Sequence, residues 1–171
     1  DNGYSGLNPN DVSVTNNDDE TAGFTVSSIS GSTTEAGGTA TFTAKLNSQP
    51  TANVTIGVSS SDTTEGTVSP SSLTFTSSNW NANQTVTVTG VDDSVADGNQ
   101  SYTVVLAAAN SSDSGYSGLN PNDVSVTNTD DATAGFTVSS ISGNTTEAGG
   151  TATFTVKLNS QPSANVTIGV S

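Results

Sequence analysis

Apolar and polar positions alternate along most of the chain. In TATFTAKL, Ala40, Phe42, Ala44 and Leu46 fall on one face and Thr39, Thr41, Thr43 and Lys45 on the other. The same period of two sets Val54, Ile56 and Val58 together in NVTIGVS, Val86 and Val88 in QTVTVTG, Tyr102, Val104 and Leu106 in SYTVVLA, and Val124 and Val126 in DVSVTN. Phe24 with Val26, and Leu73 with Phe75, supply two further short runs. Successive side chains of a strand point to opposite faces, so this pattern predicts strands with one face buried. β-Branched Thr and Val suit such a half-buried pleated surface. Seven segments, separated by Gly, Asn, Ser and Pro turns, predict an all-β fold, a seven-stranded antiparallel β-sandwich.

The pattern also repeats at long range. Residues 1–59 match residues 113–171 at a constant offset of 112, with six differences: Asn2/Ser114, Asn17/Thr129, Glu20/Ala132, Ser32/Asn144, Ala44/Val156 and Thr51/Ser163. Self-similarity at a fixed period marks a tandem array. The acidic turns at 17–20 and 129–132 place the unit boundaries. Residues 1–19 then hold the C-terminal strand of a preceding repeat, 20–131 one complete repeat, and 132–171 the N-terminal strands, A to C, of a following repeat.

Composition alone points elsewhere. Leu, Ile, Val and Phe total 33 of 171 residues and the net charge is −14, values typical of a disordered chain. Periodicity overrules that reading, because a strand with a Thr and Ser outer face needs few apolar residues. The core is thin all the same, and a further source of stability is expected. With only 2 basic residues the chain offers phosphates no patch, which excludes nucleic acid and direct membrane contact as expected partners. No apolar run approaches the roughly 20 residues of a transmembrane helix. Cys and His are both absent, so disulfides, thiol or imidazole catalysis and soft-metal sites are excluded. The sequence begins mid-pattern, so the lack of a visible signal peptide says nothing about secretion.

The carboxylates have an address. In an up-and-down sandwich alternate loops lie at the same end. Glu35 in the first such loop, Asp62 and Glu65 in the next, Asp92, Asp93 and Asp97 in the third, and Asp130 and Asp131 after the last strand all fall at one pole. Asp113 and Asp123 fall at the other, and Glu20 enters the first strand there. Two like charges 4 Å apart at an effective dielectric of 20 repel by about 4 kcal/mol, against a total stability of roughly 5–15 kcal/mol for a domain. Solvated turns that keep the protein soluble are the plain reading. Convergence on one pole favours a cation. Oxygen donors without His or Cys select Ca²⁺ ahead of Mg²⁺, because Ca²⁺ accepts 6–8 ligands in flexible geometry.

Taken in order, TTEAGGTATFTAKLNS, VSSSDTTEGT, VTVTGVDDSVADGNQSYTVVL and DVSVTNTDD resemble a Calx-β-type domain over nearly all of 21–131. Such domains occur in sodium–calcium exchanger regulatory regions and in tandem arrays of very large bacterial adhesins. The resemblance implies an immunoglobulin-like sandwich in tandem array that binds Ca²⁺ between consecutive domains. It makes Glu35, Asp62, Asp92, Asp93, Asp97, Asp130 and Asp131 the ligand candidates, with Asp18 and Asp19 for the preceding repeat and Glu147 for the following one. The family often carries a third Asp after the terminal pair and further Glu residues after the Asp-Asp turn. Ala132 and Gly98-Asn99-Gln100 stand there instead, which implies fewer or weaker sites. The near-identical repeats, Ser/Thr richness and lack of Cys look most like the extender region of a repeats-in-toxin adhesin. That likeness implies a secreted, cell-surface bacterial protein in biofilm-type adhesion, whose partners are Ca²⁺ and neighbouring repeats of the same chain.

Other features carry less. Thr39/Thr41/Thr43 and Thr85/Thr87/Thr89 suggest an ice- or carbohydrate-binding face, and more simply the solvent side of a sheet. Trp80, between Asn79 and Asn81, suggests stacking on a sugar, and more simply a lid on a thin core. The long stretch before Val124 reads as a covering loop anchored by Tyr116 and Leu119. The glycosylation sequons at Asn53, Asn83 and Asn110 are expected by chance in so Asn-, Ser- and Thr-rich a chain. Paired carboxylates serve glycosidases, but nothing here implies an aromatic-lined cleft, and no enzyme is expected.

Overall fold

The longest alternating run becomes the longest strand in the computed structural model, which describes residues 1–170. That strand, β3 (Thr39–Leu46), follows β1 (Phe24–Val26) and β2 (Thr33–Thr34). After it come β4 (Val54–Ser60), β5 (Gly66–Ser69), β6 (Ser72–Phe75), β7 (Gln84–Gly90), β8 (Gln100–Leu106) and β9 (Val124–Thr129). A separate pair, β10 (Phe136–Val138) and β11 (Val156–Leu158), lies beyond. The described residues contain no helix.

The fold is all-β and sandwich-like. One sheet runs in the order β1-β3-β7-β5, the other in the order β2-β9-β8-β4-β6. Their facing sides supply one buried core: Phe42, Ala44, Val86 and Val88 from the first, and Val54, Ile56, Phe75, Val104 and Val126 among those from the second. Phe24 of β1 meets Phe75 and Tyr116 edge-on, with ring centroids 6.4 and 5.9 Å apart. The covering loop anchors as its sequence suggests. Tyr116 is buried, and its hydroxyl donates to the Ser48 carbonyl at 2.7 Å and accepts from the Ser48 N–H at 3.0 Å.

Two features depart from the seven-stranded antiparallel expectation. Strands β2 and β5 add to the seven segments, giving nine between residues 24 and 129. In addition, β2 pairs with β9 in parallel, Thr33 opposite Asn128 and Thr34 opposite Thr129. The chain after β1 therefore leaves the first sheet and completes the edge of the second. β2 has only two residues and β5 only one apolar side chain, Val68, so neither shows a periodicity, and their pairing partners set them.

The ends of the chain behave differently from their counterparts. Val12 and Val14 match Val124 and Val126, yet they form no strand and are exposed. In the trailing segment β10 and β11 repeat the register of β1 and β3, Phe136 opposite Leu158 as Phe24 is opposite Leu46. Residues 165–170, the counterpart of much of β4, form no strand. β4 is held by β6 and β8, and this sequence contains no second copy of either.

Strand direction positions the acids. β3 runs antiparallel to β7, and β8 antiparallel to both β4 and β9. Hence β2, β4, β7 and β9 all end at the same pole.

Candidate metal centre

Two glycines let the loops of that pole close on one another. Gly66, opening β5, sits opposite Gly90, which ends β7. A Cβ on Gly90 would strike the Thr34 carbonyl and the Asn128 side-chain oxygen, and one on Gly66 would strike the Tyr102 ring. Beneath the pole lies a polar layer. The Asn128 amide donates to the Val91 carbonyl at 3.1 Å and to Glu65 Oε2 at 3.4 Å, while its Oδ1 accepts from the Thr33 hydroxyl at 3.0 Å. The Thr33 and Tyr102 hydroxyls share a further bond of 3.3 Å. Among the described residues no buried polar side-chain atom lacks a partner.

Above this layer the strand ends bring six carboxylates into two groups. Glu35, after β2, meets Asp92 and Asp131, their carboxylate oxygens within 4.8 Å of one another. Glu65, before β5, meets Asp93 and Asp97 within the same limit of 4.8 Å. Glu35 is 2 % exposed and Glu65 9 %, whereas the four aspartates are exposed. Glu35 Oε2 accepts from the Asp131 N–H at 3.3 Å, which ties the end of β2 to the end of β9.

The remaining candidates have other tasks. Asp130 accepts from the Gly98 N–H at 2.7 Å and the Ala132 N–H at 2.8 Å, so it clasps the β7–β8 loop to the end of β9. Asp62 accepts from the Thr64 N–H and hydroxyl at 3.0 and 2.6 Å, closing a turn. Neither belongs to either group. Asp18 and Asp19 form a third, fully exposed group with Glu20. Asp18 and Glu20 lie beside Thr51, Trp80 and Asp113, at the opposite pole. Glu147 is exposed and belongs to none of the three groups.

Glu65 and Asn128 stand outside the ligand candidates of the sequence reading. Asn128 was accessible to it: two residues beyond Val126 on the inward face of β9, it continues the alternation. Glu65 was placed at this pole by the alternation of loops, but its burial beside the Asn128 amide that donates to it was not readable.

The electrostatics of the pole oppose ionisation. Burial raises the Glu35 carboxyl above its ordinary 4.5; the Asp131 N–H opposes this, and the charges of Asp130, Asp93 and Asp131 add to it. Burial likewise raises Glu65, with the Asn128 amide opposing and Asp97, Asp62 and Asp93 adding. No basic residue of the sandwich offsets the cluster. Lys45 pairs with Thr25 at the far end of β3, roughly 20 Å away at 3.3 Å per residue. These donors are all hard oxygens, so the site fits a Ca²⁺-like cation, held by Glu35, Asp92 and Asp131 or by Glu65, Asp93 and Asp97.

Trp80 is half-buried against the core, and its carbonyl accepts from the Leu46 N–H at 2.8 Å. The Thr residues form rows across the outer face of the first sheet: Thr89 between Thr39 and Thr67, Thr41 beside Thr87, Thr43 beside Thr85.

No protein-family model and no curated protein sequence matches the chain. Among solved structures, SSP-19 of Caenorhabditis elegans, described as an MSP-domain protein like family member, is similar at 14 % identity and a TM-score of 0.39, over 63 % of this chain and 99 % of that one. A TM-score at that level carries no argument for what the chain does.

Proposed function

We propose that the chain is a stretch of a structural extender: tandem immunoglobulin-like, Calx-β-like sandwiches stiffened by Ca²⁺ at the junctions between repeats, in a bacterial cell-surface adhesin of the repeats-in-toxin type. The observation that carries the reading is the meeting of Glu35, Asp92 and Asp131 at the pole from which the following repeat departs, with Glu35 buried and the sandwich's one lysine, Lys45, at the far end of β3. A divalent cation offsets several like charges at once, and it draws together the ends of β2, β7 and β9. The connection from Asp131 to β10 is only residues 132–135, so stiffening its root restricts the angle between repeats. Catalysis has no part in this reading.

Two consecutive copies of residues 20–131, a span that contains the whole buried core, test it by small-angle scattering. Calcium is expected to give a longer, narrower particle, and chelator a more compact or more variable one. Identical profiles in calcium and in chelator would count against the extender mechanism.

A further inference from the structure

The loop that carries the aspartates also touches the following segment. The Gln161 N–H donates to the Ser94 carbonyl at 2.6 Å, and Gln161 forms a parallel β-bridge with Val95. Ala96 lines a cleft with Phe136, Leu158 and Pro162 of that segment. We propose that this contact is a repeat-to-repeat joint: the shelf Ser94–Ala96 of one repeat receives the Gln-Pro turn of the next, whose counterpart in the central sandwich is Gln49-Pro50. This rests on the tandem-array part of the proposed function.

Three observations support a built joint. First, the turn is preformed. Asn159 accepts from the Thr137 hydroxyl at 2.6 Å and donates its N–H to the Gly135 carbonyl at 2.9 Å, as Asn47 does with Thr25 and Gly23 at the same 2.6 and 2.9 Å. The trailing segment builds the turn with only two strands of its own, β10 and β11. Second, the shelf is braced. The Val95 N–H donates to Asp93 Oδ1 at 2.6 Å and the Asp97 N–H to the Val95 carbonyl at 3.0 Å. A backbone donor therefore meets a carbonyl whose loop is already fixed. Third, the two halves sit at opposite poles of one sandwich. Ser94–Ala96 follow β7 at the acidic pole, and Gln49-Pro50 follow β3 at the other, so a head-to-tail chain can use both at every 112-residue step. The contact is made by backbone groups, which makes it tolerant of side-chain change. It also places the joint on the loop of Asp92, Asp93 and Asp97, so a cation held there acts on the shelf directly.

The chain contains no Cys, so a disulfide reports the joint cleanly. Bridge partners lie within disulfide range. Val95→Cys with Gln161→Cys is expected to close an intramolecular disulfide under mild oxidation. It should do so roughly a hundredfold faster than Val95→Cys with Gln49→Cys, whose thiols sit at opposite poles and meet only between molecules. In two consecutive copies of residues 20–131, where the second sandwich closes its own core, the first copy's Val95→Cys should pair with the second copy's Gln49→Cys. Absence of the cross-link in both chains, with the tandem folded by circular dichroism, overturns the joint. Cross-linking in either, at the same rate in calcium and in chelator, leaves the joint standing and removes its coupling to calcium.

Discussion

The two poles of the sandwich use carboxylates in opposite ways. At one end Asp113 accepts from the Thr51 N–H and hydroxyl at 2.7 and 2.9 Å and from the Gly115 N–H at 2.8 Å, and Asp123 accepts from the Leu106 N–H at 2.8 Å. Asp113 and Asp123 each have backbone donors of their own, and those donors hold Asp113 below its ordinary 3.8, while Asp18, Asp19 and Glu20 beside this pole are fully exposed. At the other end six acids crowd into two groups, and burial with mutual repulsion raises Glu35 and Glu65. The lesson is that net charge by itself says little about stability. An ionised Asp113 supports the fold, whereas an ionised Glu35 burdens it unless a cation is present.

The largest way to break the contrast is steric. Gly90→Ala puts a methyl against the Thr34 carbonyl, so the ends of β2 and β7 must part; about 3 kcal/mol of stability is expected to be lost in urea melts. Loss of less than about 0.5 kcal/mol would mean that the pole is loosely packed. Calcium comes next. At a hundred times its dissociation constant it should add about 2.7 kcal/mol, or roughly 10 °C in melting temperature, and chelator should remove that gain. Glu35→Gln should raise the melting temperature in chelator and shrink the gain from calcium, since it removes a buried charge and a ligand together. A variant destabilised in chelator would show that the ionised Glu35 supports the fold.

pH sharpens the comparison further. Glu35 and Glu65 are raised from 4.5, so their cost is present above their folded pKa values and vanishes as both states become protonated below about 4.5. Asp62 and Asp113 are lowered from 3.8, so their contribution is present above 3.8 and is lost as pH falls through their folded values. Without metal, stability should therefore rise as pH falls through the raised folded values of Glu35 and Glu65 toward 4.5, and fall again as pH drops below 3.8. With calcium the first slope should reverse, because protons then compete with the ion. A metal-free profile with no rise in stability as pH falls from neutral to 4.5 would contradict the raised carboxyls. The smallest effect belongs to the opposite pole. Asp113→Asn should lower the melting temperature modestly, and equally in calcium and chelator.

The inward faces were legible because one pleat rule fixes them. Phe42, Ile56, Val88 and Val104, set inward by alternation, are all buried. Alternation did not suffice where partners are missing. Tyr116 and Val126 are 1 % and 3 % exposed, while the identical positions Tyr4 and Val14 are 75 % and 87 % exposed. A strand is made by its neighbours, and β9 has β8 and β2 beside it. The same dependence hid β2, whose two residues are set by β9, nearly a hundred positions away. Strand polarity was readable, so the shared pole was too. The division of labour within it was not: the hydrogen bonds of Asp62 and Asp130 to nearby backbone, and the burial of Glu65 under Tyr102 and Asn128, depend on loop conformations that no periodicity encodes.

Calorimetric titration of residues 20–131 with calcium, beside Asp92→Asn and Asp93→Asn, tests the cation most directly, since each variant removes one candidate ligand from a different group. Saturable heat at submillimolar calcium, weakened in both variants, is the expected result. No heat at millimolar calcium, or heat unchanged by either substitution, would contradict it.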